Sequence, residues 1–169
     1  MTNDEVHDEL NRWLTQTLGV QAIKDRQGID RPALPYVMSS LASLGQVQAH
    51  VRDVLYRNLP PPDGEARSPV EATPLLELEW VFLVFAYGDG CDSILRRLKS
   101  ARHLAQVQEP LMPKLTIHEV GNVNLIPEFL GNRWEPRAQA NVVLRGIADD
   151  GFVIDVIEEY EPFDIERKD

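Results

Sequence analysis

The side chains best suited to metal or nucleophilic chemistry are few and scattered. The four histidines, His7, His50, His103 and His118, include no pair at i, i+4, and there is one cysteine. A zinc site needs several such ligands converging, so no metal or other cofactor is expected. His118 and Glu119 adjoin in a predicted strand, where successive side chains point to opposite faces. Cys91 stands where a helix begins, a position that lowers a thiol's pKa. It also falls on that helix's apolar stripe, so a buried small hydrophobe is the expectation. Ser39, Ser40 and Ser93 lack a Gly-x-Ser-x-Gly setting. Gly88-Asp89-Gly90 follows a strand and opens a helix, the right place for a phosphate loop. It has neither the Walker spacing nor a third glycine, and Asp89 and Asp92 would repel phosphate. The expectation is a strand-to-helix turn with an aspartate N-cap. No catalytic residue emerges, and the chain reads as a protein that is not an enzyme.

Charge is distributed unevenly. Lys and Arg total 17 against 27 Asp and Glu, a formal net charge of −10. That opposes a protein built to grip nucleic acid, though not one past which DNA slides. From Asp92 to His103 there are four cations against one acid, whereas Gly146 to Asp169 holds nine acids against two bases. A basic segment and an acidic one in the same chain suit a head-to-tail contact between copies, which closes into a ring if the rotation fits.

Several elements must position these residues. Val6, Leu10, Trp13, Leu14 and Leu18 recur at helical spacing, which predicts an amphipathic helix over 3–18 with Asn3 as N-cap and Gly19 as a left-handed C-cap. Short strands are predicted at Val20–Lys24 and at about Tyr36 to Leu44, with Gly45 turning the chain into a return strand over Val47–Leu55. Residues 58–74 carry five prolines and an Asp-Gly pair and read as an irregular excursion. Glu77–Tyr87 is the strongest strand, apolar on both faces and hence covered on both, the second cover being a helix or another subunit. A helix over about Cys91 to Ala105 carries Arg96, Arg97, Lys99 and Arg102 outside its apolar stripe. Strands follow at Leu115–Val120 and Trp134–Arg145. Asp149-Asp150-Gly151 is a tight-turn signal, with Phe152–Ile157 as the hairpin partner. The segment 158–169 is acidic and poorly periodic.

The order of elements predicts an α+β fold, two helices packed on one mostly antiparallel sheet, within a single domain spanning 1–169. Apolar residues at 43% and charged residues at 26% are ordinary for a globular protein. No stretch approaches the ~20 apolar residues of a membrane helix, so no membrane partner is expected. With one cysteine no intrachain disulfide forms. The acidic start, Met1-Thr2-Asn3-Asp4-Glu5, is the opposite of a secretory leader, and a soluble cytosolic product is expected.

The motifs and their order resemble the tail-terminator, or neck-terminator, proteins of tailed bacteriophages. The first helix ends Thr15-x-x-Leu18-Gly19-Val20, then Ile23-Lys24. Gln27-Gly28, Arg31-Pro32 and Pro35-Tyr36-Val37 open a strand. The long strand ends Tyr87-Gly88, and the second helix carries Asp92 and Leu95-x-x-Leu98. Trp134-Glu135-x-Arg137-Ala138 opens the C-terminal strands, the last of which follows Asp150-Gly151. The similarity covers nearly the whole chain.

The resemblance implies a structural virion protein, assembled in the host cytoplasm. It implies a sandwich of tail-terminator type and a ring, typically of six subunits, on the head-proximal end of the tail tube. Such a ring ends tube polymerisation and joins the head-tail connector, while DNA passes through its lumen without being held. The expected partners are therefore further copies of this chain, the tail tube protein and the connector or its adaptor.

Four surfaces are candidates for those contacts. Arg96, Arg97, Lys99 and Arg102 would dock a neighbour or the tube. Pro60, Pro61, Pro62 and Asp63 lie at the tip of the long excursion. Trp134, Glu135 and Arg137 open a strand whose edge pairs with another chain. Glu158, Glu159 and Glu161 contact the connector or line the channel. Two other readings stand beside this one. A head-completion or connector adaptor, or a minor tail protein, shares small α+β folds and ring assembly. More remote is a small ligand-binding domain or enzyme using the turn at Gly88–Asp92.

Overall fold

The computed structural model describes residues 1–25, 31–63 and 68–154. In chain order the elements are α1 (Asn3–Leu18), β1 (Gln21–Lys24), β2 (Tyr36–Gln46), β3 (Asp53–Asn58), β4 (Val70–Tyr87), α2 (Cys91–Ala101), α3 (Ala105–Gln108), β5 (Leu115–Val120), β6 (Asn124–Leu125), β7 (Glu128–Leu130), β8 (Arg133–Glu135), β9 (Arg137–Asp149) and β10 (Phe152–Ile154). This is an α+β fold. The main sheet runs β1-β2-β4-β9-β5, with β1 parallel to β2 and the other pairings antiparallel.

α1 spans the expected residues 3–18, but its cap lies one residue earlier than the sequence suggests. Thr2 is the N-cap: its hydroxyl accepts the Glu5 N–H, and the Glu5 carboxylate accepts the Thr2 N–H at 2.7 Å. That reciprocal pair satisfies two donors which helix geometry leaves unpaired, and the bond from Thr2 lowers the pKa of Glu5. Asn3 is left inside the first turn, where its side-chain oxygen accepts the indole N–H of Trp80 at 2.9 Å. At the other end Gly19 adopts the expected left-handed conformation, φ 72°. Val6, Leu10, Trp13, Leu14 and Leu18 are all buried, against Trp80, Phe82, Val84 and Ala86 of β4 and Ala138, Ala140, Val142 and Leu144 of β9. α2 adds Cys91, Leu95 and Leu98 to the same core. It ends at Ala101 and not near Ala105, and the four-residue α3 and a 3-10 turn at Glu109–Leu111 follow. Gly90, not an aspartate, is its N-cap, and no side chain caps it.

The strands depart from the sequence pattern around β4. Gly45 does not turn the chain: it lies within β2, opposite Glu79. Instead of returning beside β2, β3 pairs with the first half of β4 from Asp53–Leu75 to Asn58–Val70. β2 and β3 therefore succeed each other along β4, and residues 70–74, expected to be irregular, form the start of that strand. On the other edge, β9 is separated from β8 by Pro136 and runs on to Asp149. Asp150-Gly151 does not turn the chain either. β10 pairs with β4, Phe152 opposite Ala72, in the same register that sets Asp149 opposite Leu75.

Pro74 explains why this ladder is interrupted without being reversed. The Leu75 carbonyl accepts the Arg52 N–H, on the β3 side. Hydrogen-bonding groups alternate sides along a strand, so Pro74 faces the other edge, where it has no N–H to offer. The gap at 150–151 lies opposite. The sequence expectation for 155–157 falls outside the described residues.

Candidate interface surfaces

The residues of the scattered motifs converge at the C-terminal end of β4. Tyr36 and Tyr87 are cross-strand neighbours and stack with ring centroids 4.7 Å apart. The Arg31 guanidinium lies over both rings, at 5.6 and 5.3 Å. It donates to the Tyr36 hydroxyl at 2.8 Å and to the Glu135 carboxylate at 2.7 Å. Arg137 lies over Phe85 at 4.3 Å and Tyr87 at 5.2 Å and pairs with Glu128 at 3.1 Å. Burial pushes the Tyr87 phenol up, and the bond to Tyr36 raises Arg31. On the second face of β4 two arginines lie over Phe85 and Tyr87, in the small cluster with Tyr36, while Val81 and Leu83 on the same face are half-buried. Cation–π contacts and an ion pair with a buried carboxylate hold the entry of β2 and the β7–β8 hairpin on the sheet. Each residue was visible in the sequence, but nothing in its spacing showed that they meet.

Trp134, Glu135 and Arg137 consequently do different things. Glu135 points inward to Arg31 and is only 5% exposed. Arg137 does not open a free edge: it stands opposite Tyr87 in the β4–β9 pairing, and its carbonyl accepts the Ile126 N–H on the other side. Trp134 points outward, 67% exposed, against Phe129 across the β7–β8 hairpin at 5.2 Å. Leu125 and Ile126, which precede the hairpin in the chain, are also exposed. A 300 Å³ hollow by Trp134 is lined by Asp89, Glu135 and the turn at Gly88, where a side chain would press on Leu34 and Pro35. Its acids suit an anionic ligand poorly.

The opposite end of β4 is a three-stranded arm, β3-β4-β10. Tyr56, Ala72 and Phe152 stand in one row across it, and Leu55 and Val153 lie on its other side. All but Ala72 are exposed. Glu71 pairs with Arg57 across the strands at 2.7 Å, and its carboxylate lies over Gly151. Pro60, Pro61, Pro62 and Asp63 are exposed beyond β3. At the arm's root a groove of about 670 Å³ runs between arm and α1, lined by Met1, Leu55, Leu75 and Ile147 with Glu5, Glu9 and Asp149.

α2 presents the basic face. Arg96 and Lys99 are exposed, and Arg102 is half-buried at its end. Arg97 donates to the carbonyls of Thr17 and Leu18, the C-terminal turn of α1, so it also holds two helices together. Cys91 is buried and its thiol pushed up in pKa by that burial. Glu158, Glu159 and Glu161 lie outside the described residues. No helix among the described residues is long and apolar enough to cross a membrane.

A sequence model of the family described as phage neck terminator protein matches residues 4–168. The chain belongs to that family. A comparison with curated proteins returns no match. As a phage neck terminator protein, the chain has a structural role in completing the tail, a place in the virion's tail and neck, and other phage head or tail proteins as its contacts. The family is a structural one, not a family of enzymes. The arginine–tyrosine cluster, the β7–β8 hairpin and the arm thus become parts of an assembly protein.

Proposed function

We propose that this chain, as one domain, forms a closed ring of six copies on the head-proximal end of the tail tube. The ring ends tube growth and offers the surface on which the head connector docks, and DNA passes through its lumen. The family match over 4–168 carries this reading. The fold supports it, since exposed apolar side chains gather on the β3-β4-β10 arm at one end of the sheet and on the β7–β8 hairpin at the other. The acid excess supports it too: a conduit with net negative charge repels phosphate and lets DNA slide. In this reading Arg96, Lys99 and Arg102 face an acidic partner, and the acidic segment 158–169 supplies one or meets the connector. Pro60–Asp63 extend the arm's reach.

Particles assembled without this chain test the reading. Over-long tail tubes are the expected result. DNA-leaking heads with free tails of normal length would make the chain a head-completion protein instead.

A further inference from the structure

The exposed large apolar side chains are not spread evenly. Those of the arm and its root gather at the start of β4, and those around the β7–β8 hairpin gather at its end. β4 spans Val70–Tyr87, so at ~3.3 Å per residue the two groups lie about 55 Å apart. From the individual exposures, the arm end offers roughly 900 Å² over its two faces together, Tyr56 and Phe152 on one and Leu55 and Val153 on the other, and the hairpin end roughly 600 Å². That compares with about 800 Å² per partner in an ordinary stable interface. Large apolar side chains left in water and gathered in one place mark a surface where another chain packs, and this chain has such groups at both ends of the sheet.

We propose that the β7–β8 hairpin of one copy inserts Trp134 and Phe129 into the groove at the arm's root in the next copy. This rests on the ring reading and names its subunit contact. The occupant is a second copy because one such joint, repeated, covers both bare ends of every chain. A joint between like ends would leave the other end bare. The groove, of about 670 Å³, is lined by the apolar side chains of Leu55, Leu75 and Ile147. Its rim carries Glu5, Glu9 and Asp149 together with Lys114, and Asp149 lies 3.4 Å from the N-terminal ammonium of its own chain. Aromatic anchors in an apolar groove with a charged rim are the composition of a binding hot spot. Because the two surfaces differ and face opposite ways, the contact is heterologous and closes into a ring if the rotation fits.

The test uses full-length chains carrying Leu55→Glu or Trp134→Glu, with folding checked by circular dichroism. Both side chains are exposed, so both variants should fold; if one does not, Tyr56→Glu or Phe129→Glu replaces it. The masses of assemblies are read by light scattering, free and on purified tail tubes. Wild type should form rings in at least one setting. Each variant alone should associate at least tenfold more weakly, and an equimolar mixture of the two should stop at a one-to-one dimer. Each partner then contributes its intact end, and no third chain can add. Variants that still form rings, or monomeric variants whose mixture stays monomeric, would overturn the contact and leave the ring reading standing. A wild type that is monomeric in both settings would remove the ring and the contact with it. Variants that form rings in solution but no longer join tubes would assign these ends to the tube protein and overturn the proposal.

Discussion

β4 passes through two environments. From Trp80 to Ala86 its helix-facing side chains are fully buried under α1 and α2, and two arginines cover the aromatic residues behind. From Val70 to Leu75 the strand has sheet neighbours on both edges, while the side chains of those neighbours, Leu55, Tyr56, Phe152 and Val153, stand exposed. The same kind of apolar, β-prone sequence thus does two jobs. In the covered half it stabilises the monomer. In the bare half it adds little to the monomer and is available to a second chain. An apolar strand in a sequence therefore shows that something must cover it, but not whether the cover belongs to the same chain.

Substitutions should separate the two halves. The largest effect is expected at Trp80, which is fully buried and bonded to Asn3. Trp80→Ala should cost about 3–5 kcal/mol in a denaturant titration. A loss under 1 kcal/mol would mean the covered half is not the folding core. Gly146 comes next, since a Cβ there would sit 2.6 Å from the Lys114 carbonyl oxygen. Gly146→Ala should destabilise by about 1–3 kcal/mol through forced separation of β5 and β9.

Arg31→Ala should cost about 1 kcal/mol, because the arginine is half-exposed and solvent screens the pair although its carboxylate partner is buried. The same change should loosen the β7–β8 hairpin, read as faster amide exchange at 128–135.

His7 gives a pH test of the covered half. Its Nε2 lies 2.7 Å from the Ser39 hydroxyl, which donates to Asn11. Burial, then Lys24, lowers its pKa from the ordinary 6.5. The unfolded chain thus binds this proton more readily, so the contribution to stability is present above about pH 6.5 and declines as pH falls through the lowered folded-state value. The melting temperature should drop between pH 7 and 5, and His7→Gln should flatten that drop.

The smallest effect on stability belongs to the arm. Leu55→Ala should change it by no more than about 0.5 kcal/mol, while assembly falls sharply.

Much of the covered half is legible in the sequence, because helical and strand periodicity report one-sided burial. α1, the left-handed turn at Gly19 and the buried face of β9 follow from it. What periodicity does not contain is the partner. The sequence 47–55 reads as a hairpin return, yet β3 lies along β4. Asp149-Asp150-Gly151 has the chemistry of a tight turn, but the strand continues, interrupted only where Pro74 lacks a donor. Arg31, Tyr36, Tyr87, Glu135 and Arg137 stand far apart in the chain and meet only through the register of β2, β4 and β9. Trp134 and Glu135, adjacent in sequence, part company, one to the surface and one to an ion pair.

The central claim is that the bare ends are where copies meet. Amide hydrogen exchange, compared between dispersed and assembled protein, addresses it most directly. Assembly should slow exchange at 53–58, 128–135 and 152–154 and leave the core of α1 and α2 unchanged. Protection confined to α2, with both ends of β4 exchanging as before, would contradict it.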